Sequence, residues 1–293
     1  MDFIPAKTLL TKNKTTNWFG YEYNMNIYRG CHHGCIYCDS RSSCYQVEDF
    51  DRVRAKENST NLLFQNLTSK RQKGIIGTGA MSDPYNHDEK KYKLTRLALE
   101  QINQAGFGIG ITTKSDLITR DIDLLTAIKQ HSPVIAGISI TAADDSLAKK
   151  IERNVSSSSK RFHALKKLTD AGIYSGVLLM PVLPFITDSK ENILSIVHQA
   201  FEAGVNFIYP WFGMTLRENQ QIHYYQWLDH LFPDIKQKYI QTYHNSYSCP
   251  IPNEQELSYL FKNECTKLGI TYQMKKIITE YQKDYHMEQI NLF

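Results

Sequence analysis

The chain has 293 residues, 42% of them hydrophobic, with 34 Lys and Arg against 30 Asp and Glu for a net charge of +4. That is enough apolar material for one barrel-sized core with an extension. No run approaches the roughly 18 consecutive apolar residues that cross a bilayer, and Met1–Lys7 lacks a basic region followed by a long apolar core, so a cytoplasmic chain without a membrane partner is expected. The mild positive charge is compatible with nucleic acid and equally with dispersed surface lysines.

Along the chain, apolar runs of strand length alternate with longer amphipathic runs, the pattern of a parallel α/β sheet. Strands are predicted near Tyr23–Tyr28, Gly74–Thr78, Gly108–Thr113, Val134–Ile140, Ile173–Leu179 and Val205–Trp211, each short, rich in β-branched or aromatic residues and bounded by Gly, Pro or Asp. Helices are predicted near Ser59–Lys70, Tyr92–Gln104, Ile122–Lys129, Lys160–Ala171 and Ser189–Ala203. Three end in an Ala-Gly pair, at Gly106, Gly172 and Gly204, as expected of glycine C-caps. A sixth helix is predicted over Arg217–Tyr243, with Ile222, Tyr225, Leu228, Leu231 and Phe232 as its core stripe. The implied organisation is an N-terminal segment (1–22), a six-unit barrel domain (23–243) and a C-terminal extension (244–293).

Between the first strand and the first helix lies Tyr28-Arg-Gly-Cys-His-His-Gly-Cys-Ile-Tyr-Cys-Asp39. Cys31, Cys35 and Cys38, spaced C-x3-C-x2-C, can hold three irons of a [4Fe–4S] cube and leave the fourth open to a small chelating molecule. Gly30 and Gly34 suit a loop that bends tightly close to the sulfides. The alternative is a zinc knuckle completed by His32, His33 or Cys44. The remaining cysteines, Cys44, Cys249 and Cys265, are scattered and do not make a second ligand set.

The string CHHGCIYC resembles the cluster loop of radical S-adenosylmethionine (SAM) enzymes, with Tyr37 in the aromatic place before the third cysteine. NMNIYRGC, GTGAMSDPYNHDEK, TTKS, ISIT and the run from Arg161 to Asp188 further resemble the spore photoproduct lyase-like branch, over about Trp18 to Trp211. The resemblance implies a partial (β/α)6 TIM-like barrel with a C-terminal helical extension. It also implies a [4Fe–4S] cluster whose open iron takes the amino and carboxylate groups of SAM, reductive formation of a 5′-deoxyadenosyl radical, hydrogen abstraction from a substrate, and a flavodoxin- or ferredoxin-like electron donor.

Parallel barrels carry their chemistry at the C-terminal ends of the strands. There the resemblance assigns Ser82 to the SAM amino edge, Lys114 to the SAM carboxylate and Ser139 to the ribose. Asp83 and Tyr85 can also reach a polar ligand, although Ser82-Asp83-Pro84 reads equally as a helix-opening turn with Asp83 as cap. Lys114 has a solvated alternative. Ser139 and Thr141 face one way by strand alternation, so a barrel-facing serine is coherent. The family carries an acidic-basic pair and an arginine near Glu152, Arg153 and Arg161. Arg153 is the candidate to neutralise an anion at the mouth, with a surface salt bridge as its alternative.

Two places depart from spore photoproduct lyase. Where the resemblance calls for a hydrogen-donating cysteine and an assisting tyrosine, this chain has Met81 and Asp39. A thioether has no S–H hydrogen to give and a carboxylate does not replace a phenol, so thymine-dimer repair lacks its donor. The expected function is therefore radical SAM chemistry of a lyase-like kind on an unknown substrate, with nucleic acid as leading class. A non-catalytic iron–sulfur redox protein and a DNA-associated adaptor are the alternatives. The latter draws on the end of the chain, where Gln289, Ile290, Leu292 and Phe293 resemble the short motif that binds a bacterial sliding clamp, after a stretch Glu280–His286 with few core residues.

Overall fold

In the computed structural model, which describes residues 1–285, six strands follow one another across a parallel sheet in chain order. They are β1 (Tyr23–Met25), β2 (Ile75–Thr78), β3 (Gly108–Thr113), β4 (Val134–Ser139), β5 (Tyr174–Leu179) and β6 (Phe207–Pro210). Each pairs in parallel with the next. Leu10–Lys12 runs antiparallel along the outer edge of β1, so part of the N-terminal segment belongs to the same sheet. The sheet stays open between that edge and β6, giving a partial TIM-like barrel.

The connecting helices are α1 (Ser59–Thr68), α2 (Leu94–Ala105), α3 (Ile122–Lys129), α4 (Ser158–Asp170) and α5 (Lys190–Glu202). Parallel strands need such crossovers, which cover the outer face. Every residue of β4 is consequently buried. On α5 the inward stripe Ile193, Ile196, Val197 and Ala200 is fully buried; burying each of the larger three is worth about 2 kcal/mol. Gly106, Gly172 and Gly204 all lie at φ between 70° and 74°. They close α2, α4 and α5 in the left-handed conformation that spares glycine the Cβ penalty.

Three expectations change. The first strand stops at Met25, and Tyr28–Arg29 pairs instead with Arg54–Lys56 in a small sheet that also holds Asp2–Ile4, turning the chain out of the barrel toward the cysteine loop. The sixth helix is two, α6 (Gln220–Leu231) and α7 (Ile235–Tyr243), because Pro233 cannot continue a helix. Their buried hydrophobic positions are Tyr224, Leu228, Tyr239 and Tyr243, with Tyr225, Leu231 and Phe232 packed against them, whereas Ile222 is 58% exposed. The C-terminal helices α8 (Glu254–Lys267) and α9 (Met274–Gln282) are part of the core. Leu257, Phe261 and Cys265 join the main cluster, and Tyr281, from the stretch read as poor in core residues, packs among Phe19, Tyr21 and Phe207. Gln289, Ile290, Leu292 and Phe293 lie outside the described residues.

Candidate active site

The C-terminal ends of the strands surround a cavity of about 840 Å³, to which Asn24, Thr78, Thr112, Ser139 and Leu178 contribute from β1 to β5. Tyr21 forms part of its wall and lies flat on two strand glycines. A Cβ at Gly77 or Gly110 would sit 2.2 Å from the Tyr21 ring. Glycine inside these strands therefore marks close approach by another group.

The cysteine loop closes one side of the cavity. Backbone bonds fix it at both ends: Cys31 N–H donates to Phe50 O (2.8 Å) and Ile36 N–H to Ile151 O (3.0 Å). Cys35 also forms a β-bridge with Glu152. Gly30, at φ 80°, has no room for a side chain, since a Cβ would lie 2.6 Å from Arg52 O and 2.7 Å from Phe50 O. Cys31 and Cys35 are buried and Cys38 half-buried, all three as free thiols. Cys35 and Cys38 are on the cavity wall. Burial, followed by Asp83 and Cys38, pushes the Cys31 thiol up to about 12. Burial likewise raises Cys35 and Cys38, with Lys114 opposing it at both. The iron-free loop thus holds protons that a metal must displace. Among the described residues no three His, Cys, Asp or Glu side chains converge on a point that a single ion could occupy.

Lys114, just past β3, is on the same wall as Cys35, Tyr37, Cys38 and Ser139. Its ammonium stands 5.8 Å over the Tyr37 ring. Burial alone would lower the Lys114 pKa, but the sulfurs of Cys35 and Cys38, once ionised, and the carboxylates of Glu152 and Asp83 outweigh it and leave the amine above its ordinary value. Lys114 is thus a charged, half-buried amine on the cavity wall.

Ser82, Asp83 and Tyr85 are brought close to the cavity but do not line it; the β2 edge of the wall is made by Gly79 and Ala80. The Ser82 hydroxyl donates to Gly30 O, tying this edge to the cysteine loop. Asp83 is a buried strut. Its carboxylate accepts from Tyr85 N–H (2.8 Å), the Thr113 hydroxyl (2.7 Å) and Lys114 N–H (2.8 Å), with His33 Nδ1 at 3.4 Å. One side chain therefore links the loop after β2, the end of β3 and the cysteine loop. Tyr85 is 1% exposed, with Arg120 5.8 Å from the centre of its ring.

The acidic-basic pair is Glu152 with Arg161, both buried. Arg161 Nη2 donates to Glu152 Oε2 (2.6 Å), its Nη1 donates to Ser139 O (2.6 Å), and the Tyr37 hydroxyl donates to Glu152 Oε1. Burial would raise the Glu152 carboxyl, but Arg161 and Lys114 hold it below its ordinary value. Arg153, next in sequence, points the other way. It is exposed, lies off the cavity wall and stacks 3.8 Å over the Trp227 ring.

At the rim Asp39 meets residues that the motifs did not single out. Asp39 accepts from the Thr215 hydroxyl (2.8 Å) and the Tyr45 hydroxyl (2.8 Å) and is ion-paired with Arg217 at 3.0 Å. Arg217 Nη2 donates to the Tyr247 hydroxyl (2.6 Å) and Nη1 to Cys44 Sγ (3.2 Å). Trp18, Trp211 and Tyr247 are large aromatics that are 42%, 39% and 50% exposed although all three line the cavity. Exposed aromatics concentrated at one opening are the signal that could have marked this rim.

Similarity to known proteins agrees with this arrangement. An uncharacterised protein of Mycobacterium tuberculosis is 28% identical over 261 residues, covering 87% of this chain and 76% of its own. One from Methanocaldococcus jannaschii is 36% identical over 177 residues, 59% of this chain and 65% of its own. In fold the chain is similar to spore photoproduct lyase complexed with dinucleoside spore photoproduct, with a TM-score of 0.66 at 15% identity over 92% of this chain and 80% of the other. The profile of the Radical SAM superfamily matches residues 25–197, from β1 through most of α5. The chain belongs to the Radical SAM superfamily, whose members use a [4Fe–4S] cluster and S-adenosylmethionine.

Proposed function

We propose that Cys31, Cys35 and Cys38 hold the [4Fe–4S] cluster, that SAM occupies the adjoining cavity, and that the chain abstracts hydrogen from a nucleic-acid substrate. The residues present fit both groups. Three free thiols share one loop beside the cavity, and the strand edge next to them is stripped of side chain at Gly79, where a Cβ would lie 1.9 Å from Thr112 O. When bound, the pair supplies reductive cleavage of a sulfonium and a carbon radical.

The chain's own residues bind and orient. Lys114 offers a charge for the SAM carboxylate, Ser139 a hydroxyl for the ribose and Tyr37 an aromatic face beside the cluster. Gly79 and Ala80 present backbone for the SAM amino group, and Ser82 holds that edge against the loop. The observation that carries the reading is the placement of Lys114 on the wall of the same cavity as Cys35, Cys38 and Ser139.

Nucleic acid is supported by the rim, where Trp18, Trp211 and Tyr247 offer flat faces and Lys14 and Arg217 offer charge. Bases stack on such rings and phosphates pair with such cations. Met81 and Asp39 leave photodimer repair without its donor, so a lyase-like reaction closes through another hydrogen source. The terminal Gln289, Ile290, Leu292 and Phe293 would add a sliding clamp as partner, and oxygen-sensitive iron a reducing, cytoplasmic setting.

The test is anaerobic reconstitution followed by SAM, dithionite and deuterated DNA. Expected are 5′-deoxyadenosine and deuterium in its methyl group. Production no greater than in a chain with all three cluster cysteines replaced by alanine would end the reading. Unlabelled 5′-deoxyadenosine with every nucleic acid tried would remove the substrate class alone.

A further inference from the structure

The three cysteines are held unequally. Cys31 and the residue after Cys35 donate their backbone N–H groups to distant carbonyls, Phe50 O (2.8 Å) and Ile151 O (3.0 Å). Cys38 has only local backbone bonds, its N–H to Cys35 O and its carbonyl from Arg41 N–H, both at 3.3 Å, and it is the half-buried thiol of the three. Among the described residues the Tyr37–Cys38 peptide takes one hydrogen bond from far along the chain, and it comes from a side chain: Gln220 Nε2 donates to Tyr37 O at 2.9 Å.

Gln220 is placed for that bond. It opens α6 directly after Asn219, which sits at φ 65°, on the side of backbone space that asparagine tolerates better than most residues. Gln220 is 1% exposed and belongs to the cavity wall. While its Nε2 serves Tyr37 O, its Oε1 accepts from Arg217 N–H at 2.9 Å. One end must donate and the other accept, which an amide does and a carboxylate or an aliphatic chain does not. Arg217 is in turn ion-paired at 3.0 Å with Asp39, the residue after Cys38. Tyr37, Gln220, Arg217 and Asp39 thereby close a ring of contacts around Cys38, and Arg217 brings the rim into it.

We infer that Gln220 is a positioning residue for the cluster, fixing the peptide that carries Cys38 and coupling that corner to Arg217 on the rim. The inference rests on the cluster being held at Cys31, Cys35 and Cys38. The donor end of the Gln220 amide lies at the carbonyl that precedes an iron ligand, where its partial positive charge favours an added electron. Hydrogen bonding and solvent exposure around the ligands are what set the potential of such clusters. Without the amide, a carbonyl is left bare in a buried place and the reduced cluster is disfavoured.

The experiment is a spectroelectrochemical titration of the reconstituted chain without SAM, for wild type, Gln220→Leu, Arg217→Met and the double variant. With iron content as in wild type, Gln220→Leu should raise the oxidised-to-reduced ratio at fixed potential about fivefold to tenfold, a midpoint about 40–60 mV lower for one electron. Because both residues act on Cys38 through one ring, the shifts of the two single variants should not add. A glutamine that only supports the fold would lower the urea midpoint of the iron-free chain and leave the potential alone. An unshifted potential in an iron-loaded Gln220→Leu overturns the proposal and leaves the cluster reading standing; additive shifts overturn the coupling to the rim. If Gln220→Leu takes up no iron, Gln220→Met replaces it. Should neither load iron while both iron-free chains unfold in urea as wild type does, the corner is misplaced within an intact fold and the proposal stands, whereas loss of the fold ends it. Wild-type protein without iron would instead end the cluster reading.

Discussion

Tyr37 and Glu152 meet inside the protein: the phenol of the residue preceding the third cysteine donates to a fully buried carboxylate whose other oxygen is held by Arg161 at 2.6 Å. Since Arg161 also donates to Ser139 O, the aromatic of the cysteine loop and the serine of β4 are positioned by one buried ion pair. Such a pair gives little net stability over an apolar substitute but is costly to break singly, because the survivor is left charged and dry. Glu152→Ala should destabilise the iron-free chain by about 3–5 kcal/mol in urea unfolding, and Glu152→Gln with Arg161→Met together by clearly less. A single variant that loses under about 1 kcal/mol would show that Arg161 finds another partner.

By its place in the sequence Asp83 can reach a polar ligand at the cavity mouth, but its environment makes it a strut. Three donors converge on its carboxylate from Thr113, Lys114 and Tyr85. Hydrogen bonds to a charged acceptor are worth about 1.5–3 kcal/mol, and orphaned buried donors add to the loss. Asp83→Ala should therefore cost about 3 kcal/mol or more and lower iron loading, with Asp83→Asn milder in both. The molecules that do load iron should still cleave SAM at close to the wild-type rate per cluster. A normal iron content with abolished cleavage would return Asp83 to the chemistry.

For Lys114 the expected pattern is the reverse. Lys114→Ala removes a charge facing the cavity and leaves all three thiols and Asp83 in place. Loss of one charged contact worth about 1.5–3 kcal/mol weakens SAM binding about tenfold to a hundredfold, read by equilibrium dialysis, while iron per chain and the visible spectrum stay as in wild type. Unchanged affinity would show that the amine serves only the electrostatics of the loop.

How much of this was legible follows from what each signal depends on. The alternation of strands and helices, and the glycine stops at Gly106, Gly172 and Gly204, are local properties of the chain and read correctly from it. The cysteine loop is local in the same way, its spacing being itself the signal, and the structure sets Cys35 and Cys38 on the cavity wall. The choice of Glu152 over its neighbour Arg153 was not legible. Both carry charge, and only the β-bridge to Cys35 sends one inward and the other outward. The rim joins Asp39 to Arg217 and Tyr247, residues far apart in sequence whose meeting depends on the ribbon of Gly213–Thr215 and Ser248–Pro250. On the sixth helix Leu228, Tyr225, Leu231 and Phe232 fall in or against the core as expected and Ile222 does not; what the spacing missed is the break, since Pro233 ends the helix and a second one begins at Ile235.

The strand glycines give the last prediction. Gly110 and Gly77 are flat spots on adjacent strands that Tyr21 covers with its ring, while that ring stacks on Phe19 at 5.9 Å. A methyl at Gly77, 2.2 Å from Tyr21 Cδ2, must drive the ring off the sheet. Overpacking of this kind costs about 1–3 kcal/mol. Gly77→Ala should lower the unfolding free energy in urea by that amount and, because Tyr21 lines the cavity, weaken SAM binding with the iron content unchanged. The clash belongs to the pair, so in a Tyr21→Ala background Gly77→Ala should cost almost nothing, and the double-mutant cycle should return a coupling of about 1 kcal/mol or more. Purely additive losses would mean that the glycine is required by its backbone and not by the tyrosine lying on it.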